Sequence, residues 1–387
     1  MASHPRPRLA GIPPDRERPG LWQLLLRLAA FALAALMLAL PALVNGYPLL
    51  FPDSGNYLAL AVVAEEIPYR TLVYPALLGF LGVKSTAWGV VAFQALLVAW
   101  VLDTTIQALA SRRQALWLVA LTAVLALATG LPWYTAQIMP DAFTGVLVLS
   151  LCLLFALGDR LPAWRKIGLF LVAALGTAIH ASPLPVALAL ARAGLAFMHL
   201  SGRALRAALA PVAAVGLGIL AVPTIHYVET GRAYMSKAGE LFVFARLVED
   251  GIVGRYLDEH CPLPDTVLCA YRDQLPSTHN AYLWDDTQAF SMAGGWDQSG
   301  PESRRIMLET LRQYPGMHIR TALGSFARQL VMLRTGDYLR STYHHNAGVV
   351  ETLLPWEAGA YHNALQQQGL LDPFDRLNLV HVPVQLA

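Results

Sequence analysis

Apolar runs long enough, or nearly long enough, to cross a bilayer recur along this chain with short basic loops between them, and that alternation leaves few folds open. A spanning helix needs about 20 mostly apolar residues. The runs are Leu21 to Val44, Ala87 to Leu109, Ala115 to Leu131, Ala142 to Leu157, Ile167 to Ile179, Leu184 to Leu200 and Ala207 to Val228, with Arg192 interrupting the sixth. The core of a soluble domain could account for one of them but not for the series. Composition agrees: 56% of the residues are hydrophobic and 14% charged, against about 25% charged in soluble domains. The spacing predicts an all-α polytopic membrane bundle of about seven transmembrane helices.

Basic residues give an independent reading of topology, because Lys and Arg accumulate in short cytoplasmic loops. Residues 1–20 carry four arginines and five prolines and are expected to be an extended cytoplasmic tail. Leu21 to Val44 is too long for the core of a cleaved signal peptide and lacks a small-residue cleavage pattern, so it reads as a retained first helix. From an inside start, the expected inner loops hold Arg112 and Arg113, then Arg160, Arg165 and Lys166, then Arg203 and Arg206; the outer loops hold little besides Arg70 and Lys84. The expected location is the plasma (inner) membrane, with the N-terminus cytoplasmic and residues 229–387 extracytoplasmic.

The transmembrane domain is expected over 21–228 and includes a long outer loop, 45–86. Its apolar pieces, LALAVVA and TLVYPALLGFLG, are too short to cross, and Pro68 and Pro75 favour two interfacial half-helices. After residue 228 no spanning run appears, and charge, Gly, Pro, Trp and Tyr rise, which predicts a polar domain of mixed structure. Within it Ile319, Leu323, Phe326, Leu330 and Leu333 recur at helical spacing. That stripe suits either a membrane-surface helix or one packed on the bundle.

Cys152 reads as an apolar filler inside a span. Cys261 and Cys269 enclose CPLPDTVLC, a loop that a disulfide can close in an oxidising compartment. A zinc site drawing on His260 and His279 fits no standard spacing.

The outer loop also carries the strongest candidates for chemistry: Asp53, Glu65, Glu66, Arg70 and Lys84. A carboxylate just beyond the first span can serve as a general base toward a hydroxyl; Asp53 can equally cap the half-helix starting near Gly55. Asp141 follows Pro140 at the start of the fourth span, an ordinary helix-start arrangement as well as a candidate site. His180 lies at the outer junction of the fifth and sixth spans, where an ionisable group either faces a wet interior or bonds into the turn. Asp103, in the inner half of the second span, is expected at the interface or paired with a neighbouring helix. Phosphate loops, HExxH, GxSxG and CxxC motifs are absent from the sequence. The small net charge of +2 and scattered arginines exclude nucleic acid as a partner.

These features together resemble the GT-C superfamily of membrane glycosyltransferases. PDSGNYLALA is similar to the family's acidic element, with Asp53 at its key position, and YRTLVYPALLGFLG to the following Arg, Tyr-Pro and apolar half-helix. FQALLVAWVLDTTIQALA is similar to its second span, and LPWYTAQIMPDAFTGVLVL to a later outer turn and span. The chain departs from the pattern at Ser54, where many members carry a second acid, and at His180, where an Arg often stands; residues 229–387 resemble no domain of that family. The resemblance implies sugar transfer from a polyprenyl-phosphate donor to an acceptor hydroxyl at the outer face. Asp53 would be the general base, and Arg70, Lys84, His180 and Asp141 would bind substrate or phosphate. The expected partners are the lipid-linked donor and membrane lipids. No cofactor is indicated, and a divalent metal is left open. The rival readings are a transporter or assembly factor, for which inverted repeats would be expected, and a lipid-substrate acyltransferase using His180.

Overall fold

A computed structural model describes residues 20–63, 67, 69–110, 112–285, 289–336, 339 and 344–386. The expected tail up to residue 19, Glu65 and Glu66 lie outside the described residues. Seven helices fall on the seven apolar runs: α1 (Leu21–Asn45), α4 (Trp88–Leu109), α5 (Gln114–Ala128), α7 (Ala142–Leu157), α8 (Ala163–Ala178), α9 (Pro183–Leu200) and α10 (Leu209–Thr230). Between them lie the short helices α2 (Ser54–Val63), α3 (Val73–Phe80) and α6 (Leu131–Thr135). Five segments are long and apolar enough to cross a membrane: α1, α4, α7 with its 3-10 extension to Arg160, α9, and α10 with the turn from Leu205. The other two, α5 with 15 residues and α8 with 16, span only about 22 to 24 Å at 1.5 Å per residue, below the roughly 30 Å hydrocarbon core.

Packing within the bundle depends on small residues. A Cβ on Gly218 of α10 would stand 2.5 Å from the Ala174 carbonyl oxygen of α8, so glycine lets the two backbones approach, as is usual between helices in lipid. Helix α8 begins earlier than its apolar run because Arg165 enters the helix with a partner. Its guanidinium meets Asp103 of α4 at 2.5 Å and also donates to Thr104 Oγ1. The expected pairing of Asp103 with a neighbouring helix is thus met. At this end of the bundle Arg27 donates to Gln114 Oε1 at 2.6 Å, and Arg203 donates to the Ala156 carbonyl at 2.8 Å.

The opposite end is closed by the 45–86 segment. Gly46, at φ 83°, ends α1 in the left-handed conformation that glycine tolerates. Leu49 then exchanges backbone bonds with Ala136 and Ile138, Thr71 Oγ1 bonds the Ile179 carbonyl, and the Leu72 N–H bonds His226 of α10. Gln94 of α4 is buried yet satisfied, donating to the carbonyls of Thr135 and Gln137 and accepting from the Tyr74 hydroxyl of α3. The two expected half-helices are α2 and α3, which meet through a T-shaped Tyr57–Tyr74 contact at 5.1 Å.

Where mixed structure was expected beyond residue 228, the described residues form helices, with no strand among them. Helices α11 (Gly239–Glu249), α12 (Ile252–His260), α13 (His279–Trp284) and Gly300–Gln313 enclose a core that includes Leu241, Phe244, Tyr256, Tyr282, Phe290 and Ile306. Cys261 and Cys269 are disulfide-bonded at its edge. Denatured without reductant, the chain should therefore take one maleimide, at Cys152, and after reduction three; three labels before reduction would contradict the bond. The helix Pro315–Val331 buries none of its residues, and Ile319, Leu323, Phe326 and Leu330 are exposed, so its apolar stripe is not packed on the bundle.

The last segment, 344–386, returns to the 45–86 segment. Buried Glu357 accepts from the Tyr47 hydroxyl at 2.8 Å and from the Ala87 N–H at the start of α4, where the helix dipole favours an anion. Gln366 donates to and accepts from the Leu50 backbone. Gly55 leaves no room for a side chain: its N–H bonds Asn346 Oδ1 at 2.8 Å, and a Cβ there would stand 2.5 Å from that oxygen and 2.9 Å from the His345 ring.

Candidate functional site

The 45–86 segment brings two of the expected site residues into contact. Asp53, in the turn before α2, forms an ion pair through Oδ1 with Arg70 Nη2, in the turn before α3. The Asp53 side chain keeps 31% exposure and that of Arg70 only 8%. The guanidinium lies over the Tyr57 ring at 5.2 Å and the Tyr69 ring at 5.3 Å, and its Nε has no hydrogen-bond partner among the described residues. Two aromatic faces thus hold the cation in place through cation–π attraction, while one carboxylate edge supplies its ionic partner.

The pair lines a cavity of about 750 Å3 with Asn56 and Tyr69 on the side of the 45–86 segment and Phe242, His279, Asn280 and Trp284 on the side of the later helices. Asp53 is therefore neither isolated in bulk water nor engaged only by the next turn of backbone. Its backbone carbonyl still accepts from Tyr57 N–H at 3.3 Å, so the residue also contributes to the start of α2.

Asp141 precedes α7 and lines a smaller cavity of about 220 Å3 with Gln137, Arg334 and Thr335; Phe51 borders both cavities. Burial, with the Asp53 charge acting the same way, holds the Asp141 carboxyl above the usual carboxylate range. Burial likewise pushes the Tyr57 phenol up to about 12, with Arg70 opposing and Asp53 and Asp141 reinforcing the shift. Asp53, Arg70, Tyr57 and Asp141 therefore share one electrostatic neighbourhood.

His180 also feels this neighbourhood. Burial lowers its pKa, the positive charge of Arg70 lowers it further, and Asp53 opposes both. Nδ1 is engaged with Ser182 Oγ at 2.9 Å. Lys84 is exposed and does not line the Asp53 cavity. The reason is covalent: α3, 8 residues long and so about 12 Å, separates it from Arg70.

Among the described residues no cluster of three or more His, Cys, Asp or Glu side chains is arranged to hold a metal ion. The site residues that the sequence reading missed are Asn56, Tyr69, Asn280 and Trp284. Tyr69 could have been noticed beside Arg70; the α13 pair carries no local signal. Compared with protein-family models, with curated proteins and with solved structures, the chain matches none of them.

Proposed function

We propose that the chain is a membrane glycosyltransferase that moves a sugar from a polyprenyl-phosphate donor to an acceptor hydroxyl, with seven crossings and with the Asp53 cavity on the extracytoplasmic side. The observation that carries this reading is the Asp53–Arg70 pair lining a cavity at the end of an apolar bundle. An adjacent base and anion-binding cation are what displacement at a sugar phosphate requires.

In the reaction the acceptor oxygen bonds to the anomeric carbon as the carbon–oxygen bond to phosphate breaks. The hydroxyl proton passes to the Asp53 carboxylate, and the electron pair of the broken bond stays on the departing polyprenyl phosphate. Arg70 stabilises that charge; preorganised donors in a water-poor site act strongly on it. Before the donor arrives the two side chains satisfy each other, and a bound phosphate takes over part of the guanidinium, freeing Asp53 for the acceptor. Arg70 is the cation assigned to the phosphate: its own charge disfavours a second cation at His180, and Lys84 does not line the cavity. The acyltransfer reading would need His180 to face a cavity with a nearby acid; it lines neither of the two cavities described above, and its Nδ1 is engaged with Ser182.

Arg70→Gln keeps a planar polar group but removes the charge. Charge-assisted bonds to phosphate are roughly twice as strong as neutral ones, so a short-chain polyprenyl monophosphate should bind the variant about 10- to 100-fold more weakly in a direct binding titration. Equal affinity would remove Arg70 from the phosphate site.

A further inference from the structure

We infer that the α13 wall of the cavity is a saccharide subsite, holding the acceptor sugar ring against Tyr69 and Trp284 with its hydroxyls toward His279 and Asn280. The role of the ligand as acceptor rests on the transfer reaction proposed above; the binding itself does not.

Helix α13 presents His279 and Leu283, and Asn280 and Trp284, at i and i+4, so all four fall toward one side of the helix, and all four line the cavity. Trp284 remains 46% exposed although it belongs to an aromatic cluster. It meets Tyr69 edge-on at 5.0 Å and Trp296 at 5.3 Å. Tyr69 in turn lies beside the Arg70 guanidinium, so the aromatic surface runs without a break up to the ion pair. A half-open aromatic surface flanked by hydrogen-bonding side chains fits a pyranose, whose C–H face is apolar and whose rim is all hydroxyl.

His279 is held in one orientation. Glu249, at the end of α11, accepts from both its ring Nδ1 and its backbone N–H, the latter at 2.9 Å, and Arg246 bonds the same carboxylate at 3.0 Å. Burial alone would raise the Glu249 carboxyl; the His279 bonds and the Arg246 charge outweigh it and hold it below the usual range. A carboxylate bonded to Nδ1 orients the ring and leaves Nε2 to hydrogen-bond a sugar hydroxyl. Glu249 is then a positioning residue.

The test uses the full chain in detergent, with the methyl glycosides of glucose, galactose, mannose and N-acetylglucosamine as probes, read by tryptophan fluorescence and by saturation transfer to the sugar protons. At least one glycoside should bind in the millimolar range. Trp284→Ala should weaken it tenfold or more and His279→Gln by several-fold, at unchanged melting temperature, while Lys84→Gln, outside this cavity, should leave saccharide binding within twofold. Binding by none of the four probes, or undiminished binding by folded Trp284→Ala, overturns the subsite. Saccharide binding that persists while no lipid-linked sugar is turned over keeps the subsite and removes the transfer reaction instead.

Discussion

Asp53→Asn is expected to lower turnover of a lipid-linked sugar by about 10² to 10⁴, the usual contribution of a positioned general base. Asn retains the shape of the side chain and caps a helix about as well as Asp, so a residue serving only the start of α2 would give a nearly silent variant. The ion pair adds a second consequence. With Arg70 buried to 8% exposure and Asp53 at 31%, the variant should lose about 1 to 2 kcal/mol of stability, solvent screening keeping the figure below that of a fully buried pair. The two effects separate because the first is read as kcat on protein held well below its melting temperature. Normal kcat in Asp53→Asn would mean that the carboxylate only orients Arg70.

The largest structural effect is expected at the other end of the bundle. Asp103→Leu leaves the Arg165 guanidinium, at 5% exposure, stacked on Trp164 at 4.5 Å with no carboxylate. Removing one partner of such a pair costs about 3 to 5 kcal/mol, because the surviving charge stays out of water. The double variant Asp103→Leu, Arg165→Met should recover most of that loss, since apolar pairs of similar volume often replace buried ion pairs without penalty. Thermal unfolding in detergent measures both. A single variant as stable as the wild type would show that Arg165 reaches the interface unaided.

The sequence disclosed those parts of the fold that rest on local periodicity. All seven bundle helices lie on runs visible in the hydropathy pattern, and α2 and α3 on the short pieces either side of Pro68, with Pro75 inside the first turn of α3. The Asp53–Arg70 contact was within reach because both residues belong to one loop closed on itself by two half-helices. Lys84 belongs to the same loop yet lies outside the cavity lining, because proximity along the chain ignores the length of α3. The α13 wall and the return of Asn346, Glu357 and Gln366 to the 45–86 segment stayed hidden, since pairing across hundreds of residues leaves no repeat or spacing in either partner. Composition misled beyond residue 228, where a rise in Gly, Pro and aromatic residues suggested mixed structure. Those residues instead punctuate short helices, as Gly251 does with φ 74° before α12.

The central claim, that the cavity carries out sugar transfer from a lipid phosphate, is tested most directly by reconstituting the full chain in nanodiscs and measuring release of polyprenyl phosphate from polyprenyl-phosphate sugars. Methyl glycosides or water serve as acceptor, and nucleotide sugars are assayed in parallel. The account predicts release from at least one polyprenyl-phosphate sugar, none from nucleotide sugars, and loss of the reaction in Asp53→Asn. Turnover of nucleotide sugars alone, or release that Asp53→Asn leaves intact, would contradict it.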